Sequence, residues 1–428
     1  MAPAREAIRA IGGKAVRGPT LPFSLVLGYL FFEFGRPQAL LPPLEVLHVP
    51  AILAVLLVLS LARARVPLWR DRQTQLLLWL FALMFLHIPI AMNNFFALAI
   101  TRVMLITFVA YLGIITFIDS TEKFKKLINL WLIIHVYLAI NGILKGGRGI
   151  GGFIADENDF CMALNMALPF PFFMGMSETR RIKKLAYFAI ALLILFTIMA
   201  TLSRGGFVGL VGVGGYCWMR SKRKALSAFL IVLLAFFMFL AAPPTYWDEV
   251  RSIQEEGSQT GTGEDRVYLW KIAWKMFLHN PILGVGQGNV SFQFAKYETM
   301  SGNTEGLDGR SRAGRAMHSL YFTLLPEWGL VGTVLYGMIV YRTYRDVRFL
   351  CRFRLPKNHG GLGDAARIQT WGYAMEGSLV AFFVCGIFIS VLTYPSFWVM
   401  MGFVIALRKI ALAQAAQAAQ AAQAAQAA

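Results

Sequence analysis

Only 15% of the 428 residues carry charge, against roughly a quarter in soluble domains. Acids are the scarcer sign, with 23 Asp and Glu beside 41 Lys and Arg. The shortage excludes an ordinary water-soluble globule. Hydrophobic residues make up 57% of the chain and recur in long runs from end to end, the composition of a polytopic membrane protein. Cys161, Cys217, Cys351 and Cys385 have neither paired nor metal-type spacing, so no disulfide framework or zinc site is read. "GVGQG" at 284–288 has no lysine and no strand-to-helix context, so it reads as a turn rather than a nucleotide loop. "DEND" at 156–159 is one acidic cluster without a second ligand set, weak evidence for a cation. The net charge of +18 lies in short clusters between apolar runs, which is membrane topology and not a nucleic-acid surface. The basic stretch before the first run reads as a retained leader, because no small-residue cleavage site follows it.

A hydrocarbon core about 30 Å thick takes roughly 20 helical residues. Twelve stretches answer to that length: 22–41, 44–62, 73–92, 98–118, 125–144, 158–176, 184–202, 205–219, 225–242, 317–341, 372–392 and 395–408. Glu33 and Arg36 weaken the first, and the eighth, "GGFVGLVGVGG", is glycine-rich in the manner of close helix packing. If the N-terminus is cytoplasmic and the spans alternate, most lysines and arginines fall inside, and the outer turns at 93–97 and 393–394 carry none. The expectation is an all-α polytopic membrane protein of about twelve transmembrane helices with both termini cytoplasmic. Residues 1–242 hold nine spans, 243–316 a long outer loop, 317–410 three more spans, and 411–428 a low-complexity Ala/Gln tail of no assigned function. Within the loop "DRVYLWKIAWKMFLHNP" has helical period, Pro281 closes it and "ILGVGQGN" turns the chain.

Several basic residues escape the topological bias and need another reason, because ionisable groups at membrane depth are costly. Arg204, in "TLSRGGFVGL", stands at an outer helix end, with two glycines that would let the backbone turn back; a snorkelling anchor is the alternative. Arg266 opens the loop helix after Glu264 and Asp265, where a solvated ion pair would also serve. Arg148, in "KGGRGIGGFIADEND", fits a glycine-rich turn equally well. Arg310, Arg312 and Arg315 form a charge run that suits a headgroup-facing surface. Outer-face arginines near different span ends suggest one shared anion, since the guanidinium fork matches phosphate oxygens. At headgroup level a lipid-linked diphosphate is the natural candidate for that anion. His318 opens the tenth span beside this run, with Ser319, Tyr321 and Glu327 following. Such a histidine can be structural, but an imidazole titrating near 6.5 can also take a proton from a hydroxyl.

"SRGG" after an apolar span, then "R…W…A…NPILGVGQGN", then "HSLYFTLLPEWGLVG", resembles the O-antigen ligase and polymerase superfamily of bacterial inner membranes, most strongly over 200–335. "GRPQALLP" and "IADENDF" look like its exosortase-associated O-glycosylation ligase branch. The resemblance implies a GT-C-like glycosyltransferase of the inner membrane, working at the periplasmic face without metal, nucleotide or other cofactor. It would transfer a glycan from undecaprenyl diphosphate to a hydroxyl of lipid A-core, with inversion. By motif, His318 matches the catalytic base, Arg204 and Arg266 the diphosphate-binding arginines, and Arg148 a less secure third; Arg315 is the remaining candidate for the diphosphate. Expected partners are the lipid-linked donor, the lipid A-core acceptor and membrane lipids, with no nucleic acid. Protein serine or threonine, or a growing glycan, are alternative acceptors for the same donor chemistry. A transporter of lipid-linked anions is the rival of another class; it predicts mid-span charges and repeated halves, and neither is read here.

Overall fold

The computed structural model describes residues 20–65, 71–221, 262–300, 314–355 and 362–427, with a few positions between 224 and 232. The leader at 1–19, nearly all of the ninth expected span, Arg251, Arg310, Arg312 and the side chains of Glu264 and Asp265 lie outside the described residues.

The described residues are helical, with no strand among them. In chain order the helices are α1 (Thr20–Leu30), α2 (Val49–Ala64), α3 (Arg72–Ile90), α4 (Asn94–Phe117), α5 (Thr121–Leu144), α6 (Glu157–Ala167) and α7 (Pro169–Ser177). They continue with α8 (Arg181–Ala200), α9 (Arg204–Arg220), α10 (Thr262–His279), α11 (Val290–Thr299), α12 (Leu320–Cys351), α13 (Leu362–Cys385) and α14 (Pro395–Ala427). Eight helical stretches are long and apolar enough to cross a membrane: Pro43–Ala64, Arg72–Ile90, Asn94–Phe117, Thr121–Leu144, Glu157–Ser177, Arg181–Ala200, Leu320–Cys351 and Pro395–Gln426. The chain is an all-α polytopic membrane protein. Three more of the twelve expected spans are helices that fall short of that measure. Thr20–Gly35 is short, α9 has 17 residues, and α13 carries Asp364, Arg367 and Glu376.

Polar side chains start these helices by accepting an amide that the helix cannot pair. Asn93 accepts from Phe96, Ser120 from Lys123, Asp156 from Asn158, Ser203 from Gly206 and Ser319 from Phe322. Burial then sorts the bundle. The windows of Glu157–Ser177 and Pro395–Gln426 are 83% and 78% buried, whereas that of Pro43–Ala64 is 11% buried. α6, α7 and α14 are therefore central, and α2 leaves most of its apolar surface to lipid. The Ala/Gln tail continues α14 as one helix, where Gln414 donates to Thr121 (3.2 Å) and Ala418 is buried.

The loop after α10 is more than the outer turn expected of "ILGVGQGN". It sinks among α3, α4 and α12. α12 is broken at Gly329 (φ 57°, ψ −164°), and the loop backbone fills the break. Val285 N–H donates to the Pro326 carbonyl (2.7 Å) and Gly286 N–H to that of Glu327 (2.9 Å). In return Leu330 and Val331 N–H donate to Pro281 and Ile282 (2.8 and 3.1 Å). Irregular backbone at membrane depth survives only when its polar groups are satisfied in this way. The Glu327 side chain accepts the N–H groups of Gly288 and Val290 at the start of α11.

Gln287, fully buried, completes the lock. Its Nε2 donates to the Met84 carbonyl and Thr101 hydroxyl (both 2.9 Å), and its Oε1 lies 2.9 Å from His87 Nδ1. Gln287→Leu keeps the volume but removes these hydrogen bonds, at about 1 kcal/mol for each. Thermal unfolding in detergent should show a clearly lowered Tm; an unchanged Tm would mean that water reaches the site.

Candidate active site

Three helix ends meet at the turn after α13. α12 begins there because Leu320 N–H donates to the Gly386 carbonyl (2.7 Å). α9 begins there because Gly205 lies so close to Phe388 that an added Cβ would come within 2.9 Å of it. α10 arrives with the Arg266 guanidinium over the Phe388 ring, 5.9 Å from its centre.

The glycines of "SRGG" do not make the turn that the sequence suggested. Leu202 makes it, in the left-handed region at φ 52°, while Gly205 and Gly206 are already helical. They serve close approach: a side chain at Gly206 would strike the Cys161 sulfur, and one at Gly209 that of Cys385. Ser203 caps α9 by accepting Gly206 N–H (3.0 Å) and donates its own proton to Asn158 Oδ1 (2.7 Å). That bond ties the Arg204 end of α9 to the start of α6.

The loop helix brings its residues in register. Arg266 and Trp270 lie one turn apart on one face of α10. Trp270 Nε1 donates to the Met317 carbonyl (3.0 Å), and its ring stacks on Phe322 with centroids 4.9 Å apart. The residue between Met317 and the Ser319 cap is His318, itself left-handed at φ 47°. A non-glycine residue there is strained by roughly 1–2 kcal/mol. Ser291 Oγ holds the Arg315 carbonyl (3.0 Å), and Gly314 N–H donates to Ser291. The approach to His318 is thus pinned to α10 and α11 rather than to its own helix.

Electrostatics follow from this convergence. Burial, and then the neighbouring Arg204, lower the pKa of Arg266. Partial burial, then Arg266, with Arg315 adding to them, hold the surface-accessible His318 imidazole below its ordinary 6.5 against the opposing pull of Asp156. His318 is therefore neutral at pH 7 and able to accept a proton. Two cations crowded beside it mark a place where an anion is favoured.

The other expected residues are distributed differently. Arg148 is 73% exposed and its charge is met by Glu157 at 3.7 Å, at the rim and not in the Arg204–Arg266 pair. Arg315 contributes its field to His318 from an exposed position. The companions suggested for His318 have structural work instead: Ser319 caps α12, the Tyr321 hydroxyl donates to the Phe383 carbonyl (3.0 Å), and Glu327 anchors the loop. Asp156 and Phe388 were missed. "DEND" drew attention as a cation motif, whereas Asp156 caps α6 and faces the imidazole's field; a phenylalanine in an apolar run gives no signal. Among the described residues no group of three or more His, Cys, Asp or Glu is placed to hold a metal ion.

The helical bundle thus gathers a neutral imidazole and two neighbouring guanidiniums at one end. Residues 189–337, which include Arg204, Arg266 and His318, match the family model described as O-Antigen ligase, a match that supports the O-antigen ligase superfamily. A ligase- or polymerase-like function is thereby supported. No curated protein matches the chain.

Proposed function

We propose that the protein is an O-antigen ligase that moves a glycan from undecaprenyl diphosphate to a hydroxyl of lipid A-core at the periplasmic face of the inner membrane. The observation that carries this reading is the meeting of His318, Arg266 and Arg204 at the 386–388 turn, inside the segment matched to the family. Arg204 and Arg266 hold the diphosphate and stabilise the charge that grows on it as the sugar leaves. His318 takes the proton of the acceptor hydroxyl while its oxygen attacks the anomeric carbon. The new C–O bond forms opposite the breaking one, so the configuration inverts and undecaprenyl diphosphate departs as the anion. The plugged loop fixes the C-terminal end of α10, the helix that carries Arg266.

The direct test is transfer by the purified protein from a polyprenyl-diphosphate glycan to lipid A-core, in chelator and without nucleotide. Glycan-capped lipid A-core is the expected product; its absence with an intact donor and acceptor overturns the reading. In cells, deletion should remove capped lipopolysaccharide and accumulate the lipid-linked glycan. Loss of glycoprotein bands instead would move the acceptor to protein.

The site also sets a pH dependence. In the free enzyme the His318 pKa lies below 6.5, so kcat/KM should hold down to pH 6.5 and fall below it as the imidazole protonates. A bound diphosphate offsets Arg266 and Arg315, and the imidazolium becomes less disfavoured. The acid limb of kcat should therefore lie at higher pH than that of kcat/KM. The reverse order would remove His318 as the base.

A further inference from the structure

At the end of the bundle opposite His318, α9, α12 and α13 surround a single carboxylate. Glu376 accepts hydrogen bonds from the Tyr216 hydroxyl (2.6 Å), Arg220 Nη2 (2.7 Å) and Arg348 Nη1 (3.1 Å). Its side chain is 8% exposed, while each arginine side chain keeps 28%. Two guanidiniums share one acid, so one positive charge is left over. Tyrosine rings steady both: Arg220 lies 5.5 Å from the Tyr373 centroid and Arg348 5.9 Å from that of Tyr344. Both arginines and Glu376 border a cavity of about 630 Å³ whose apolar walls include Val340, Leu379, Val380 and Phe383. From Glu376 to Phe383 the wall climbs α13 by about 10 Å at 1.5 Å per residue.

We propose that this cavity is a binding site for an anionic phospholipid of the cytoplasmic leaflet, with its phosphate on Arg220 and Arg348 and an acyl chain along α13. The lysine and arginine bias makes this end the cytoplasmic one, and basic pockets between helices on that side suit anionic headgroups. Arg345, Arg352 and Lys224 stand in the neighbouring segments and add to the attraction. A purely structural ion pair would balance its charges; this one keeps a surplus cation where it borders an apolar groove. A second cavity, of about 620 Å³ between α3 and α12, makes the contrast. Trp79, Leu86, Leu330 and Val334 line it with no charged group, so it offers a lipid chain nothing with which to choose a headgroup. The neutral tail of a polyprenyl donor has no use for two arginines at its far end. The proposal is independent of the role given to His318.

The test is titration of the full-length protein, purified free of lipid, with phosphatidylglycerol and phosphatidylcholine, read by native mass spectrometry. Phosphatidylglycerol should bind in preference. Glu376→Gln removes the competing anion and should tighten it. The uncharged triple variant R220Q/E376Q/R348Q keeps hydrogen-bonding groups in place; it should bind more weakly than the parent and about thirtyfold more weakly than Glu376→Gln, the factor expected for two basic residues. Val380→Trp leaves the charges alone, obstructs the groove and should lower phosphatidylglycerol binding as well, which decides the matter should the triple variant not fold. Equal binding of the two lipids, shifts of E376Q and the triple variant in the same direction, or displacement of phosphatidylglycerol by a polyprenyl diphosphate would each overturn the proposal.

Discussion

His318→Ala should lose about 10²–10⁴-fold in transfer, the usual contribution of a positioned acid or base, while the protein still inserts and still binds its donor. Folding should survive because the features that build this corner do not depend on the imidazole. Ser319 caps α12, Leu320 N–H pairs with the Gly386 carbonyl, and Trp270 grips the carbonyl of Met317. Alanine meets much the same cost at φ 47° as histidine does. Donor affinity should stay near that of the unaltered protein, because Arg204 and Arg266 carry the diphosphate in the proposed mechanism. Single-turnover transfer, measured beside equilibrium donor binding, separates the two. Equal losses in both would make His318 a binding or structural residue. A variant that still moves the lipid-linked anion at full rate would favour the transporter.

Gly329→Val should have the largest effect on the fold. At φ 57° and ψ −164° the backbone is in a region open to glycine almost alone. A Cβ there would also collide with the carbonyl of Ile282 and lie 2.6 Å from the amide of Gly284. Four backbone hydrogen bonds cross this junction, each worth about 1 kcal/mol net and more when its partner is left buried. Their joint loss approaches the whole stability of an ordinary domain, about 5–15 kcal/mol. The variant should fail to give a monodisperse peak after detergent extraction. Gly337→Ala, in the same helix with nothing within 4 Å of an added Cβ, should behave as the parent. Equal behaviour of the two variants would show that the loop is not locked into α12.

What was legible in the sequence was what depends on local composition. Apolar runs of membrane length and the bias of lysine and arginine between them follow from the cost of placing charge and unpaired backbone in hydrocarbon. Each can be counted along the chain without knowing what lies across from it. His318, Arg204 and Arg266 were also singled out there, because an ionisable residue at a span end is conspicuous for the same reason. Which residues keep them company was decided only by tertiary structure. Glu327 stands nine positions after His318 yet serves the loop, whereas Asp156 and Phe388, far off in sequence, lie near His318 and Arg266. The reading of "SRGG" as a turn failed for the same reason: what requires those glycines is the nearness of Cys161 and Phe388, which belong to other helices. Helix periodicity says which side of a cylinder a residue occupies; only the packing of cylinders against one another says what it meets.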